Sequence, residues 1–309
     1  MTPFERCVGI AWAGAGRDDQ RVGLRIVEAA AGQPAREVRP PGTRARNWKR
    51  VEVFDYVTEL LRPEQPRTLV GIDASLGYPV GAASEVFGVE SWRALVARIA
   101  AMRRDAPTLD AFLDRVNMPF AEEAGVPLYS RDREGRAWDR PHHSPGAFYS
   151  ARGVAYWRMV ELFLPQSLSA FYMGPGPMVA GHTITCLAML DALLTLRDAG
   201  ELDVSVWPQE GGLSGTHHVI AECYPSMLPR DTTIQDKDLR DAQAIAVWLL
   251  EQSQRGTLDG FLKEVERAPK KVAQVIAEEG WVLGVRLPCR APALLRCWPG
   301  AAEEDESPP

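Results

Sequence analysis

The segment Thr68–Ile72 (TLVGI) carries no charge and no alternation of apolar with polar positions, and it stops abruptly at Asp73. A short run of this kind reads as a strand buried within a sheet, because a half-exposed strand would show a period of two. The next residues, Ala74–Pro79 (ASLGYP), contain Gly77 and Pro79, which turn the chain sharply away. An acid therefore sits at the C-terminal end of a buried strand. Crevices at such strand ends are where open α/β sheets place their ligands.

The flanking sequence supplies partners for that strand. Cys7–Trp12 (CVGIAW) and Arg21–Ala29 (RVGLRIVEA) are short β-branched runs on either side of a glycine-containing turn, Ala13–Gly16, and predict a hairpin. A third extended piece lies around Glu37–Arg39, before the breaker Pro40-Pro41-Gly42. Asn47 is placed to cap a helix running to Leu61 with Val53, Val57, Leu60 and Leu61 on one face. Helical spacing recurs in Trp92–Ala101, Leu109–Val116, Thr183–Asp198, Asp238–Gln252 and Lys270–Glu278. Val204–Trp207, Val219–Cys223 and Trp281–Val285 read as extended, with a turn at Gly211–Gly215. The expected organisation is an α/β core split between residues 1–80 and 201–300, an inserted helical or irregular lobe with connecting helices over 81–200, and an acidic tail over 301–309 that is too polar to order.

Composition narrows the function classes. The chain has 309 residues, 46% of them apolar, enough for a large core without covalent staples. Its 35 Lys+Arg against 41 Asp+Glu give a net charge of −6, which argues against indiscriminate nucleic-acid binding but says nothing of a local groove. Five cysteines with no CxxC pair point to a reducing, cytoplasmic setting rather than a disulfide framework. No signal region is visible at the N-terminus, and no run approaches the roughly 18 apolar residues of a membrane span, so no membrane association is expected.

Three acids stand at element ends: Asp73 after its strand, Glu222 near the end of Val219–Cys223, and Asp241 near the start of the helix that follows. If the two strands are parallel neighbours, their acids emerge at one sheet edge. Carboxylates a few ångströms apart need protons or a cation, and hard oxygen ligands select Mg²⁺ or Mn²⁺ over zinc. Asp73, Glu222 and Asp241 are thus the candidate catalytic and metal-ligating residues of a phosphodiester hydrolase. Spacing alone favours the plainer reading, in which each acid caps or solvates the end of its own element.

A resemblance changes that weighting. VGIAWAG (Val8–Gly14), VGIDASLGYP (Val70–Pro79), HHVIAECYPSM (His217–Met227) and DLRDAQAIAVWL (Asp238–Leu249) together resemble the domain-of-unknown-function family numbered 429, predicted nucleases with a ribonuclease H-like fold. The resemblance covers the first 80 residues and about 204–285. It implies three antiparallel strands, two more parallel to the first, and acids on the first strand, the fourth strand and the last core helix. On that pattern Asp73 takes the fourth-strand place, Glu222 the place before Tyr-Pro, and Asp241 the helix place. The first strand departs from it, with Ala11 where the family carries an acid. Asp18 and Asp19 lie beyond the turn and substitute for it poorly, while Glu210 could add an oxygen. The implied activity is a Mg²⁺- or Mn²⁺-dependent nuclease. The alternative is a catalytically degenerate ribonuclease H-like binding or assembly subunit, and a small phosphorylated substrate is a third reading.

Nucleic acid as a partner has its own candidate surface. Tyr129–Arg158 interleaves Arg131, Arg133, Arg136, Arg140, Arg152 and Arg158 with aromatic residues, and Arg36–Arg50 is a second basic stretch. Arginines pair with phosphates and aromatic rings stack on bases, yet an aromatic core beneath a solvated surface is the more economical reading. The adjacent pairs His142-His143 and His217-His218, with His182, invite zinc but fit it poorly, since neighbours on a strand point to opposite faces. Cys223 reads as packing, Gly174, Gly176 and Gly181 as a hinge or packed loop rather than a phosphate loop, and Lys237 as a surface residue that could also touch a phosphate.

Overall fold

A computed structural model describes residues 3–124, 128–131, 153–164, 167–173, 178–211 and 217–287. The strands are β1 (Arg6–Ala11), β2 (Arg25–Ala30), β3 (Arg36–Val38), β4 (Thr68–Ile72), β5 (Ser130–Arg131), β6 (Tyr172–Met173), β7 (Val204–Trp207) and β8 (His218–Glu222). The helices are α1 (Arg50–Leu60), α2 (Trp92–Arg104), α3 (Leu109–Ala124), α4 (Val179–Asp198), α5 (Lys237–Gln254), α6 (Leu258–Glu266) and α7 (Lys270–Glu279). Among the described residues, six strands form one mixed sheet in the order β3-β2-β1-β4-β8-β7, and β5 pairs with β6 apart from it. β1, β2 and β3 run antiparallel in succession. β4, β8 and β7 all run parallel to β1.

Residue alternation divides the core between the two faces of this sheet. Val8, Ile10, Val70, Ile72 and Ile220 enter one cluster with Val53 and Val57 of α1, Leu95 of α2 and Ile184 of α4. The same cluster continues through Phe112, Tyr129 and Phe171, so the inserted segment shares its apolar interior with the sheet. Cys7, Leu69, Ala221 and Cys223 face the other way, toward Ile245 and Leu249 of α5, Leu262 of α6 and Ile276 of α7. Burying each such aliphatic side chain contributes about 1.5–3 kcal/mol.

α5 lies unusually close to the sheet because glycines face it. Gly9 and Gly71 are register partners on β1 and β4. A Cβ on Gly9 would stand 2.0 Å from the Ala242 carbonyl oxygen and 2.7 Å from the Ala246 nitrogen. A Cβ on Gly71 would meet Ile245 at 2.5 Å and Cys223 at 2.7 Å. The helix opposes these glycines with Ala242 and Ala246, both buried against Ala11, Val27 and Ala29.

Several local expectations change. Asn47 does not cap α1; Lys49 holds that position and its amide donates to Glu52 Oε2 at 3.0 Å, while the Asn47 oxygen accepts from Arg25. α4 begins four residues earlier than its periodicity suggests, and α3 runs through Pro119 to Ala124. Trp281–Val285 contributes only an isolated parallel bridge, Val282 to Glu222. α6 was not legible from the sequence. α4 is also long and apolar enough to cross a membrane, with a mean hydropathy of 1.6 in its most apolar window, contrary to the expectation that no run would be. Two thirds of that window is buried within the fold, as befits a core helix.

Because Gly9 meets backbone rather than flexible side chains, Gly9→Ala is expected to destabilise the protein by about 3 kcal/mol, at the upper end of overpacking costs. Urea denaturation monitored by tryptophan fluorescence measures it, and a loss below about 1 kcal/mol would show that α5 can slide to make room.

Candidate functional site

Register fixes where the acids go. Ile10 pairs with Ile72, and the Asp73 amide donates to the Ile10 carbonyl at 3.0 Å, so Ala11 and Asp73 are the next neighbours along the parallel ladder. Both fall on the face that α5 covers. α5 opens with Asp236 as its cap, whose carboxylate accepts from the Leu239 amide at 3.0 Å. One turn later Asp241 is buried, one residue ahead of the Ala242 that touches Gly9. The two aspartates therefore reach the same end of β1 and β4 from the sheet below and the helix above.

Their electrostatics follow from this meeting. Burial, then the charge of Asp241, pushes the Asp73 carboxyl up to about 7; Lys237 works in the opposite sense, while Glu222 and Asp238 add to the rise. Asp238 is also raised, by burial first. Lys237 Nζ lies 2.6 Å from Asp241 Oδ2. Burial disfavours that ammonium, but its bond to Asp241 and the charges of Asp241, Asp73 and Asp238 win, and its pKa is raised. Asp241 Oδ1 has no hydrogen-bond partner, although Arg230 approaches to 3.9 Å. His182, at the start of α4, is lowered to about 4 by burial and by the nearby charges of Lys237 and Arg50, so its imidazole is neutral. Lys237 and Arg230 thus border the aspartate pair, with His182 within the field of Lys237; the sequence singled out Lys237 without placing it and gave no signal for Arg230.

Glu222 is not brought to this pair. It is the register partner of Ile72 and so points to the opposite face of the sheet from Asp73. There Arg158 grips it with two bonds of 2.7 and 2.6 Å, and the Leu76 amide donates to it at 3.1 Å. Arg158 also donates to Glu161 at 2.8 Å and to the Glu279 carbonyl at 3.3 Å. Glu279 in turn accepts from the amides of Met159 and Val80, at 2.6 and 2.8 Å. One buried guanidinium faces three buried carboxyls, so the charge does not balance unless a proton is retained. Burial raises both Glu161 and Glu279, and Glu279, pushed up to about 8, is the readiest to keep one. Among the described residues, no group of three or more His, Cys, Asp or Glu is placed to hold a metal ion.

The other candidates are accounted for locally. Asp18 pairs with Arg50 at 2.6 Å and Asp19 with Arg17 at 2.9 Å, so neither stands in for an acid at Ala11. Arg50 also donates to the carbonyls of Ala13, Ala15 and Gly16, which fixes the β1–β2 turn. In the same basic stretch, Arg46 pairs with Glu37, and Arg36 with Glu28. Glu210 is held by Arg197 at 2.6 Å. His218 lies at the opposite end of β8, where Nδ1 accepts from the Thr68 amide at 3.0 Å and Nε2 donates to the Arg62 carbonyl at 2.9 Å. His217 pairs with Asp203. Tyr129 and Tyr156 are buried, and Tyr129 bonds the Tyr78 hydroxyl at 2.8 Å, so these aromatics pack rather than stack on bases. Cys223 is buried beside Asp73 with its thiol pushed well up, which suits packing. Arg133, Arg136, Arg140, Arg152, His142, His143, Gly174, Gly176 and the tail lie outside the described residues.

No protein family, curated protein or solved structure matches the chain.

The Arg158 clamp generates two expectations. Arg158→Met leaves three buried carboxyls without a countercharge, and its cost in denaturant unfolding is expected at about 3–5 kcal/mol. Glu279 has a folded pKa above its ordinary value of 4.5, so its stabilising contribution is full below about 4.5 and is lost as pH rises through about 8. Stability curves should therefore fall with rising pH between about 6.5 and 8, above the range in which His218 titrates. Glu279→Gln, with no proton to release, should remove the Glu279 part of that slope and leave the part due to Asp73, while lowering stability at the acid end, because one amide hydrogen bond becomes a donor facing a donor.

Proposed function

We propose that the chain is a ribonuclease H-like phosphodiester hydrolase acting on nucleic acid, with Asp73 and Asp241 holding one divalent ion, Mg²⁺ or Mn²⁺. The single observation behind this is the convergence of buried Asp241 and half-buried Asp73 on one sheet end, close enough that the charge of Asp241 raises Asp73. Three antiparallel strands followed by β4 and β8 parallel to the first support the fold assignment, with β7 as an added edge strand. The donor set fits a hard cation: both groups are carboxylates, and Asp241 Oδ1 is buried with no hydrogen-bond partner. When bound, such an ion supplies an activated water and neutralises charge on the phosphate.

The chain's own residues then position and discriminate. The turn after Asp73 is held rigid: the Leu76 amide donates to Glu222, and the Leu76 carbonyl accepts from Trp92 Nε1 at 2.7 Å and Gln209 Nε2 at 3.1 Å. Arg230, partly exposed beside Asp241, is suited to hold a phosphate oxygen. Glu222 acts here as a positioning residue, because its carboxylate is committed to Arg158 and Leu76.

A second reading, a degenerate binding or assembly subunit, is favoured by Ala11 at the register position beside Asp73 and by the commitment of Glu222 to Arg158. One experiment separates the two. Purified protein is incubated with labelled RNA and DNA and Mg²⁺ or Mn²⁺, beside Asp73→Asn, Asp241→Asn and Ala11→Asp. The hydrolase reading expects cleavage that chelation abolishes and that either Asn variant lowers about a hundredfold or more, consistent with the several kcal/mol such groups contribute. Equal cleavage in wild type and Asp73→Asn would end it. An inactive wild type with activity gained in Ala11→Asp would mark a decayed site and a binding role.

A further inference from the structure

We infer that Lys237 is a built-in competitor for the cation position: its ammonium occupies the lone pairs of Asp241 that a divalent ion needs, and it must swing out before an ion binds. The inference rests on the reading of Asp73 and Asp241 as cation ligands. Lys237 Nζ sits 2.6 Å from Asp241 Oδ2, and Asp73 and Asp238 both act on the same charge. It is a cation bonded to one carboxylate and within the field of two others.

Helix stability does not explain a lysine at this place. Lys237 is the first residue of α5, at the positive end of the helix dipole, where a cation is disfavoured. Its partner lies four residues toward the C-terminus, the weaker order for such a pair. Asp236, the cap, and Asp238 are the charges that suit this end of the helix. The lysine is explained by its neighbours, since it supplies positive charge to buried Asp241 and to the half-buried Asp73 beside it.

The latch is also free to open. The Lys237 side chain is 70% exposed, whereas that of Asp241 is 3% exposed, so the stem moves through solvent and the carboxylate stays fixed. Partly exposed pairs of this spacing are weak, and a divalent ion binding two carboxylates outcompetes one ammonium. Asp241 Oδ1 remains without a hydrogen bond while Oδ2 is held. An arriving ion can therefore engage the open oxygen first and displace the lysine afterwards. Arg230, 3.9 Å from that oxygen, is the other cation facing the pair and stays in place in every variant below.

The test is Mn²⁺ binding to the full chain, read from the loss of the free-ion paramagnetic resonance signal, for wild type, Lys237→Met, Lys237→Arg, and Lys237→Met combined with Asp73→Asn. Thermal melting checks that the exposed substitutions leave the fold intact. The inference expects Lys237→Met to bind about fivefold or more tightly than wild type, Lys237→Arg to resemble wild type, and Asp73→Asn to abolish the gain. Binding in Lys237→Met within twofold of wild type, or weaker, overturns the competitor role and leaves the ion site standing if Asp73→Asn still weakens it. Absence of specific Mn²⁺ binding in both wild type and Lys237→Met overturns the ion site and the inference with it.

Discussion

The placement of Asp241 over the end of β1 depends on an approach of two backbones with almost nothing between them. A single Cβ at Gly9 would intrude on the Ala242 carbonyl. Glycine on the strand and alanine on the helix let α5 descend until its first turns lie above the ends of β1 and β4. Because this seam is made of main chain and Cβ atoms, Asp241 inherits its position from covalent geometry rather than from a choice of rotamers. Such a support suits a site in which two like charges are held together against their repulsion.

The second constraint lies on the opposite face. Arg158 gathers Glu222, Glu161 and Glu279 from three stretches of chain and so fastens the end of β8, the turn after Asp73 and the last turn of α7 in one place. Buried ion clusters of this type contribute little net stability against an apolar equivalent, but they are intolerant of losing one member. The clamp thereby holds Glu222 on the face of the sheet opposite Asp73. It takes Glu222 out of the aspartate pair and leaves it a structural task.

Much of the fold was legible because periodicity reports burial directly. The apolar run at Thr68–Ile72, the antiparallel pairing of the first two strands and the amphipathic spacing of Asp238–Gln252 each announced their element and, for Asp73, the end at which it would emerge, although the second strand starts at Arg25 rather than Arg21. Register was not legible. Whether Glu222 would share a face with Asp73 turns on a one-residue offset between β4 and β8, and a slip of one residue reverses every side chain. Arg158 was equally hidden, because an arginine in an aromatic, basic segment reads as a surface residue until a buried carboxylate from a distant strand claims it. Asn47 lies two residues before the cap position that Lys49 holds, and its oxygen accepts from Arg25 of β2 instead.

The imidazole at the other end of the sheet has a consequence of its own. His218 uses both ring nitrogens on main-chain groups, one as acceptor and one as donor, and burial lowers its pKa from the ordinary value. A proton added to the accepting nitrogen would set two donors against each other, so mild acid loosens the edge where β4 and β8 begin. Alkali works on the opposite rim through the proton that Glu279 gives up. The two margins of one sheet are thus tuned to opposite chemical stresses, and the folded state is best sealed in the interval between them.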